Sequence, residues 1–193
     1  MSARVLVGLF VGGRGSRLGG VAKGNLIAPD GRRLVARLLA VATAALPGAR
    51  CVLVGAADAY RELGLVALED TPPGIGPLGG LAALLHHAER EGLAAVLALS
   101  CDLPYLGAPL LARLATEQPD ALALAPREDG RWSPLTARYA VAALAAVEAG
   151  IAARSHALQG VFDRLGPRAA ALPLDASERL ELRDWDEPAD LER

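Results

Sequence analysis

The sequence predicts an α/β protein with a three-layer α/β/α architecture and a mostly parallel central sheet. Short apolar runs alternate with segments of helical apolar spacing over most of the 193 residues, which is the pattern of a parallel sheet covered on both faces. Glycine, proline and aspartate separate the segments. We find no internal repeat or linker, so a single domain spanning residues 1–193 is expected.

The expected strands are short apolar runs bounded by turn residues. Residues 94–99 form the most strongly apolar of these runs. The predicted strands are 4–11, 51–54, 66–68, 94–99, 121–125, 134–139 and 169–174, with a further short extended piece at 26–28.

The expected helices show apolar residues at helical spacing and carry helix boundary signals. The first helix ends at Pro47-Gly48, and the third has Pro109 near its start, where proline is tolerated. Residues 71–77 are too rich in proline and glycine for regular structure. The predicted helices are 33–46, 78–91, 109–117, 141–149 and 156–165, with a short helix at 57–63 and a helical turn at 186–191.

Composition and charge narrow the class of protein. A hydrophobic content of 52% and a net charge of −2 indicate a folded core and give no basic footprint for nucleic acid. Cys51 and Cys101 lie in apolar runs, so we expect core thiols rather than a disulfide or a zinc site. The N-terminal apolar run is too short for a membrane span, and no cleavable signal pattern follows it. We therefore expect a cytoplasmic protein without a membrane partner.

The most informative stretch is residues 10–23, directly after the first predicted strand. Five of its fourteen residues are glycine, three are basic and none is acidic. Backbone N–H groups in such a loop form an anion-binding surface, and a phosphate chain is the usual ligand.

The basic residues of the chain point to the same stretch. Nineteen of the twenty are arginine, and the single lysine is Lys23. A compositional bias against lysine that left a single one by chance would explain this. However, lysine carries a compact, strongly hydrated ammonium group that arginine cannot replace. The position of Lys23 therefore favours a role in phosphate binding.

Two well-known phosphate loops do not match this stretch. The Rossmann pattern fails because Leu18 stands at its third glycine, and the Walker A pattern fails because Val21-Ala22 follow Gly20. A flexible surface turn therefore remains an alternative for the loop.

Two aspartates follow predicted strands directly. Parallel strands joined by right-handed crossovers bring their carboxyl ends to one edge, where ligands bind. Gly12, Asp70 and Asp102 should therefore lie close together. Mg²⁺ favours one or two carboxylates together with phosphate oxygens, which makes Asp102 a candidate metal ligand. The structural alternatives are a helix N-cap for Asp102 and a turn residue for Asp70.

Other polar and small residues are less specific. Gly79 and Gly80 stand at a predicted helix start, where they either contact a base or ribose or allow close packing. His86 and His87 point to different helix faces, so they do not form a metal pair and should face solvent or a partner. Trp185 is expected to be a packing residue.

An ordered set of motifs runs through the chain. The pattern Gly-Gly-x-x-x-Arg-Leu-Gly-Gly-x-x-Lys follows the first strand, and the set resembles the molybdenum cofactor guanylyltransferases, within the wider group of sugar- and cofactor-nucleotidyltransferases. The residues that carry the resemblance are 10–13, 17–20, 22–23, 69–70, 76–81 and 101–105, with weaker similarity at 133–135 and 186–191.

The resemblance implies a fold and an activity. The fold would be the Rossmann-like nucleotide-diphospho-sugar transferase type, and the activity a Mg²⁺-dependent transfer of GMP from GTP to molybdenum-molybdopterin. A molybdoenzyme or its chaperone is a candidate further partner. The implied catalytic residues are Arg17, Lys23 and Asp102, with Asp102 as metal ligand. The implied nucleotide-binding residues are Phe10, Val11, Gly12, Gly13, Arg17, Lys23, Gly55, Asp70, Gly79, Gly80 and Asp102.

Several positions depart from the family pattern and keep alternatives open. Gly55 stands where the guanylyltransferases commonly have asparagine, so a cytidylyltransferase that uses CTP on the same cofactor remains an alternative. Ala22 replaces a common aspartate, and Asp184 and Asp186 replace asparagine near the C-terminus. A non-catalytic molybdopterin-binding carrier is the alternative from a different class.

Overall fold

Eight strands form one sheet in the described part of the chain, which comprises residues 5–12 and 22–185 of a computed structural model. The sheet order is β3-β2-β1-β4-β7-β5-β6, with β8 paired to β5. The strands are β1 (Val5–Phe10), β2 (Arg50–Val54), β3 (Ala67–Leu68), β4 (Ala95–Ser100), β5 (Ala123–Glu128), β6 (Arg131–Trp132), β7 (Thr136–Ala140) and β8 (Ala169–Leu172).

Helices follow most of the strands. None of the described helices is both long and apolar enough to cross a lipid bilayer. The α-helices are α1 (Leu34–Ala45), α2 (Pro77–Arg90), α3 (Ala108–Thr116), α4 (Leu144–Ala152), α5 (Gln159–Leu165) and α6 (Ala176–Glu181). Short 3₁₀ helices span Lys23–Asn25, Asp58–Leu63, Val141–Ala143 and Gly166–Arg168.

The sheet has a buried core on each face. Alternate residues of a strand point to opposite faces, and both sets on β1 are buried. Leu6 and Phe10 pack in the core formed with α2, α4 and α5, whereas Val7 and Leu9 pack in the core formed with α1 and α3. The three-layer α/β/α prediction is therefore confirmed.

One central strand departs from parallel pairing. β1 pairs in parallel with both β2 and β4, but β7 runs antiparallel to β4 and to β5. Residues 129–135, which include β6, connect β5 to β7 and are too few for a helical crossover. The chain therefore turns back, and β7 enters the sheet in the opposite direction.

Most predicted elements are present with shifted ends. The predicted strand at 66–68 shortens to Ala67–Leu68, and residues 26–28 form only an isolated bridge from Ile27 to Arg33. The helix predicted to begin at residue 156 begins at Gln159. The helical turn predicted at 186–191 lies outside the described residues.

Helix α6 is missing from the sequence prediction although a signal precedes it. Asp175 accepts hydrogen bonds from the N–H groups of Ser177 and Glu178, and the Glu178 side chain accepts one from the Asp175 N–H. This reciprocal arrangement is a capping box, whose spacing is readable from the sequence. A helix of six residues carries too little apolar periodicity to be noticed otherwise.

Both cysteines are free thiols, as the sequence predicts. Cys101 is buried and Cys51 is half-buried. Burial raises the pKa of Cys51, and it raises the pKa of Cys101 to about 12. Both side chains are therefore protonated packing groups at neutral pH.

Candidate functional site

Three cavities adjoin one another along the edge of the sheet where β1, β2 and β4 end. We name them by position. The central cavity, of about 120 Å³, is lined by Gly12, Lys23 and Asp102 among others. The β3-side cavity, of about 430 Å³, shares Gly55 and Asp70 with it.

The third cavity lies on the opposite side, against β7. This β7-side cavity, of about 280 Å³, shares Ser100, Asp102 and Leu135 with the central cavity. Because each outer cavity shares lining residues with the central one, the three lie side by side along the sheet edge, and we refer to them together as the groove. An elongated ligand with three chemically distinct parts could therefore bind along the sheet edge.

The structure brings most of the predicted site residues together. Those that line the central cavity are Phe10, Gly12, Lys23, Gly55, Asp70 and Asp102. Val11 lies beneath the cavity, because its side chain is buried in the core and its N–H donates to the Val54 carbonyl at 3.0 Å. Gly13 and Arg17 lie outside the described residues. The roles assigned to these residues stay predictions.

Lys23 and Asp102 form an ion pair inside the central cavity. The Lys23 Nζ atom lies 3.0 Å from Asp102 Oδ2, and the two side chains are only 16% and 14% exposed. The Ser100 Oγ donates a short hydrogen bond to Asp102 Oδ1. Both oxygens of the carboxylate are therefore engaged by the chain itself, on opposite sides of the group.

The backbone on either side of Asp102 is also held. The Cys101 N–H donates to the Phe10 carbonyl at 3.2 Å, and the Trp185 N–H donates to the Asp102 carbonyl at 3.0 Å. Trp185 is buried against Leu34, which agrees with its expected packing role. The next helix, α3, has Gly107 as its N-cap, so Asp102 does not cap it and its carboxylate faces the cavity.

A buried tyrosine fixes the turn that carries Lys23. The Tyr60 hydroxyl accepts a hydrogen bond from the Gly24 N–H at 3.0 Å, and Tyr60 is fully buried. Burial raises the pKa of Tyr60 to about 12. The hydroxyl therefore stays protonated, and the backbone next to Lys23 is tied to the segment that follows β2.

Sequence reasoning missed both Tyr60 and Ser100. A signal existed for Ser100, because it stands only two residues before Asp102, directly after the predicted strand 94–99. No comparable signal existed for Tyr60, since its partner lies 36 residues away in sequence. Only the tertiary fold brings that hydroxyl to the lysine turn.

Two glycines let the loops after β1 and β2 touch. Gly55 has φ = +94°, and a Cβ atom there would lie 2.9 Å from the Gly12 Cα. A Cβ atom on Gly12 would in turn lie 3.2 Å from the Gly55 Cα. Backbone cannot retreat as a flexible side chain can, so an asparagine at residue 55 would require both loops to move.

Asp70 lies where the central and β3-side cavities meet. A Cβ atom on Gly80 would lie 3.1 Å from Asp70 Oδ1, and one on Gly79 would lie 2.7 Å from the Pro72 carbonyl oxygen. The two glycines therefore allow the start of α2 to pack closely, and their contact with a nucleotide stays a prediction. Burial raises the pKa of the Asp70 carboxyl.

The β7-side cavity adds polar groups near Asp102. Its lining includes Ser133, Thr136 and the carboxylate residue Asp184. Asp184 stands beside Trp185, whose backbone holds Asp102, so the C-terminal segment reaches this part of the groove. The cavity is thus bounded by β4, β7 and the residues that follow α6.

The side chains fit a metal ion that takes some of its ligands from the protein and the others from a substrate. Among the described residues, no group of three or more His, Cys, Asp or Glu side chains could hold a metal. Asp102 is a single carboxylate in a cavity, which suits Mg²⁺ when phosphate oxygens and water supply the other ligands. It does not suit a metal caged by the protein alone.

The two histidines lie apart from the groove and have different partners. The His86 Nε2 atom lies 3.3 Å from a Glu148 oxygen on α4, and His87 Nε2 lies 3.4 Å from a Glu91 oxygen. The two rings therefore point to different neighbours, as adjacent positions on one helix predict. Burial lowers the pKa of His87.

A family model matches most of the chain. The family model described as MobA-like NTP transferase domain matches residues 8–168. A molybdenum cofactor guanylyltransferase from Pseudomonas fluorescens is 32% identical over 170 residues, which cover 86% of this chain and 83% of that protein. One from Acidiphilium cryptum is 30% identical over 186 residues, covering 95% and 90%.

Two solved structures share the fold over almost the whole length of both chains. Molybdopterin-guanine dinucleotide biosynthesis protein A from Archaeoglobus fulgidus has a TM-score of 0.75 at 22% identity, covering 97% of this chain and 95% of that one. The 2-C-methyl-D-erythritol 4-phosphate cytidylyltransferase from Thermus thermophilus has a TM-score of 0.67 at 21% identity, covering 99% and 96%. These likenesses establish the nucleotide-diphospho-sugar transferase fold.

The contact between the two loops can be tested by Gly55→Ala. Gly130→Ala is the matched control, because Gly130 also has positive φ but its Cβ would meet nothing within 4 Å. Left-handed backbone strain costs each variant about 1–2 kcal/mol, and overpacking adds about 1–3 kcal/mol for Gly55→Ala alone. Urea denaturation should show the larger loss for Gly55→Ala. Equal losses would contradict the close approach.

The burial of Asp70 makes a prediction about pH. A carboxyl whose pKa is higher in the folded than in the unfolded protein lowers stability once it ionises. Asp70→Asn should therefore be more stable than the original chain at pH 7, and this advantage should shrink as the pH falls below the raised pKa. Asp163→Asn, at an exposed carboxyl, controls for net charge. A less stable Asp70→Asn protein at pH 7 would contradict the burial argument.

Proposed function

Since the chain belongs to the MobA-like NTP transferase family and is a nucleotidyltransferase, we propose that it transfers GMP from GTP to molybdenum-molybdopterin and releases pyrophosphate. The observation that carries the proposal is the pairing of Lys23 with Asp102 at the carboxyl ends of β1 and β4. Both residues lie in motifs through which the chain resembles guanylyltransferases. Cytoplasmic location and delivery to a molybdoenzyme or its chaperone belong to the same proposal.

In this proposal the three cavities divide the groove among the parts of the reactants. The base binds in the β3-side cavity, the phosphates bind in the central cavity, and the acceptor binds in the β7-side cavity. Asp70 contacts the nucleotide at the junction of the first two cavities. Asp102 stands at the junction of the last two, where the bond between nucleotide and acceptor would form.

Asp102 would hold Mg²⁺ jointly with oxygens of the triphosphate. When bound, the ion neutralises the charge that develops on the transferred group and on the pyrophosphate. Ser100 orients the Asp102 carboxylate through its hydrogen bond to Oδ1. Lys23, and Arg17 as predicted from the sequence, bind the phosphates and stabilise the same charge.

The proposed reaction needs positioning more than a dedicated base. The terminal phosphate oxygen of molybdopterin attacks the α-phosphorus of GTP, and a new phosphorus–oxygen bond forms. The bond from the α-phosphorus to the bridging oxygen breaks, and pyrophosphate leaves with the electron pair. The attacking phosphate is already ionised at neutral pH, so no side chain has to remove a proton.

Because residue 55 is glycine, a cytidylyltransferase that acts on the same cofactor remains a second candidate. A side chain at residue 55 cannot contribute to base selection, because the position lacks room for one. Backbone groups of the β3-side cavity and Asp70 would then have to distinguish the bases. A non-catalytic carrier of molybdopterin would not need Lys23 and Asp102 held as they are.

The catalytic assignment is tested by Lys23→Ala and Asp102→Ala. Each variant should lower turnover about 10²–10³-fold, because each removes charge stabilisation at the reacting phosphates. Turnover is measured as pyrophosphate released from GTP with loaded molybdopterin. Arg32→Ala, which removes an exposed cation paired with Asp30, should keep the original rate. Near-normal rates in both site variants would contradict the assignment.

The base is tested by thermal shift with GTP, CTP, ATP and UTP in the presence of Mg²⁺. A triphosphate present at 100 times its Kd stabilises the folded protein by about 2.7 kcal/mol, which raises the Tm by roughly 5–10 °C for a chain of this size. We expect GTP to give the largest rise. Tripolyphosphate controls for phosphate binding alone, and a larger rise with CTP would favour the cytidylyltransferase.

A further inference from the structure

The carboxylate proposed to bind metal is already bound by the chain's own cation. Lys23 Nζ lies 3.0 Å from Asp102 Oδ2, with both side chains more than four-fifths buried. A nearby ammonium repels a divalent cation, and partial burial strengthens that repulsion because water screens it less. As long as this ion pair persists, Asp102 presents a weak site for Mg²⁺.

The other described side chains do not provide enough further ligands for a metal ion at Asp102. Among the described residues no group of three or more His, Cys, Asp or Glu side chains could hold a metal, and the other oxygen of Asp102 accepts from Ser100. A metal ion at Asp102 would have to receive most of its ligands from another molecule. A triphosphate supplies such oxygens and also an anionic partner for the lysine.

We propose that Lys23 occupies the metal-binding oxygen of Asp102 until nucleotide phosphates draw its ammonium away, so that the chain binds a divalent metal only together with the nucleotide. This inference rests on the proposed function, since it takes the phosphates to bind in the central cavity. Lys23 binds the phosphates when nucleotide is bound, and it holds the metal position on Asp102 when nucleotide is not bound.

The backbone beside Lys23 is held in place, whereas the Lys23 side chain is flexible. The backbone next to Lys23 is tied to the buried Tyr60 through the Gly24 N–H, whereas the lysine side chain is a flexible four-carbon chain. The exchange therefore requires the Lys23 side chain to rotate while the backbone of its turn stays held. Ser100 keeps its hydrogen bond to Oδ1, so Asp102 stays oriented when Lys23 leaves Oδ2.

The exchange makes metal and nucleotide binding mutually dependent. Nucleotide binding removes the cation that competes for Asp102, so it raises metal affinity, and by linkage the metal raises nucleotide affinity by the same factor. Arginine at residue 23 could not act in the same way, because its planar, two-pronged group would engage the carboxylate through two hydrogen bonds. This gives a physical reason for the single lysine of the chain to stand here.

Mn²⁺ binding without turnover tests the inference. Mn²⁺ is titrated at pH 7.5 and its unbound fraction is followed by electron paramagnetic resonance, first without nucleotide and then with the α,β-methylene analogue of GTP. Without nucleotide, Lys23→Met should bind Mn²⁺ about tenfold or more tightly than the original chain, because the competing charge is gone. The double variant K23M/D102N should lose that gain.

Two controls make the result specific to this ion pair. Arg32→Met removes one positive charge from an exposed pair with Asp30 and should leave Mn²⁺ affinity unchanged. Mn²⁺ should also raise the Tm of Lys23→Met but not that of K23M/D102N. This melting measurement shows both whether each variant folds and whether it binds the metal. Lys23→Gln provides a second neutral variant if Lys23→Met folds poorly.

The outcomes separate this inference from the proposed function. If the original chain binds Mn²⁺ without nucleotide as tightly as Lys23→Met does, Lys23 does not hold the metal position and the inference is wrong. If the gain in Lys23→Met occurs while the original chain releases no pyrophosphate from any triphosphate, Lys23 does hold the metal position and the transferase proposal fails.

Discussion

The parallel hydrogen-bonded pairing of β1 with β4 is the interaction on which the site depends. Its register sets Phe10 opposite Ser100, and the Cys101 N–H continues the ladder to the Phe10 carbonyl. The next residue, Asp102, therefore lies in the same cavity as Gly12, which follows β1. A shift of this register by one residue would turn the Ser100 side chain, at the end of β4, to the other face of the sheet.

Around that pairing, residues without side chains set how closely the neighbouring elements approach. Gly12 and Gly55 let the loops after β1 and β2 touch, and Gly80 lets the start of α2 lie against Asp70. The groove is thus bounded by backbone on one side and by a few fixed polar groups on the other. Such a surface suits phosphate, which is recognised mainly through N–H groups and cations.

Charge balance explains how the fold accommodates the largely buried carboxylate of Asp102. Asp102 is compensated by Lys23 on one oxygen and by the Ser100 hydroxyl on the other, as a buried charge requires. In the proposed function, a metal ion would replace Lys23 at Asp102 and the triphosphate would pair with the lysine, while Ser100 keeps its hydrogen bond to Oδ1. The proposed binding would therefore rearrange the same ion pair that compensates the Asp102 charge.

The sequence by itself determined the three-layer architecture, the phosphate-loop candidate with Lys23, and the placement of Asp70 and Asp102 at one edge. Local periodicity and strand ends carry that information directly. Only the tertiary structure decided the antiparallel entry of β7, the Tyr60 hydrogen bond to the lysine turn, and the contact of Gly12 with Gly55. These depend on residues far apart in sequence, and no local pattern encodes which distant group fills a given space.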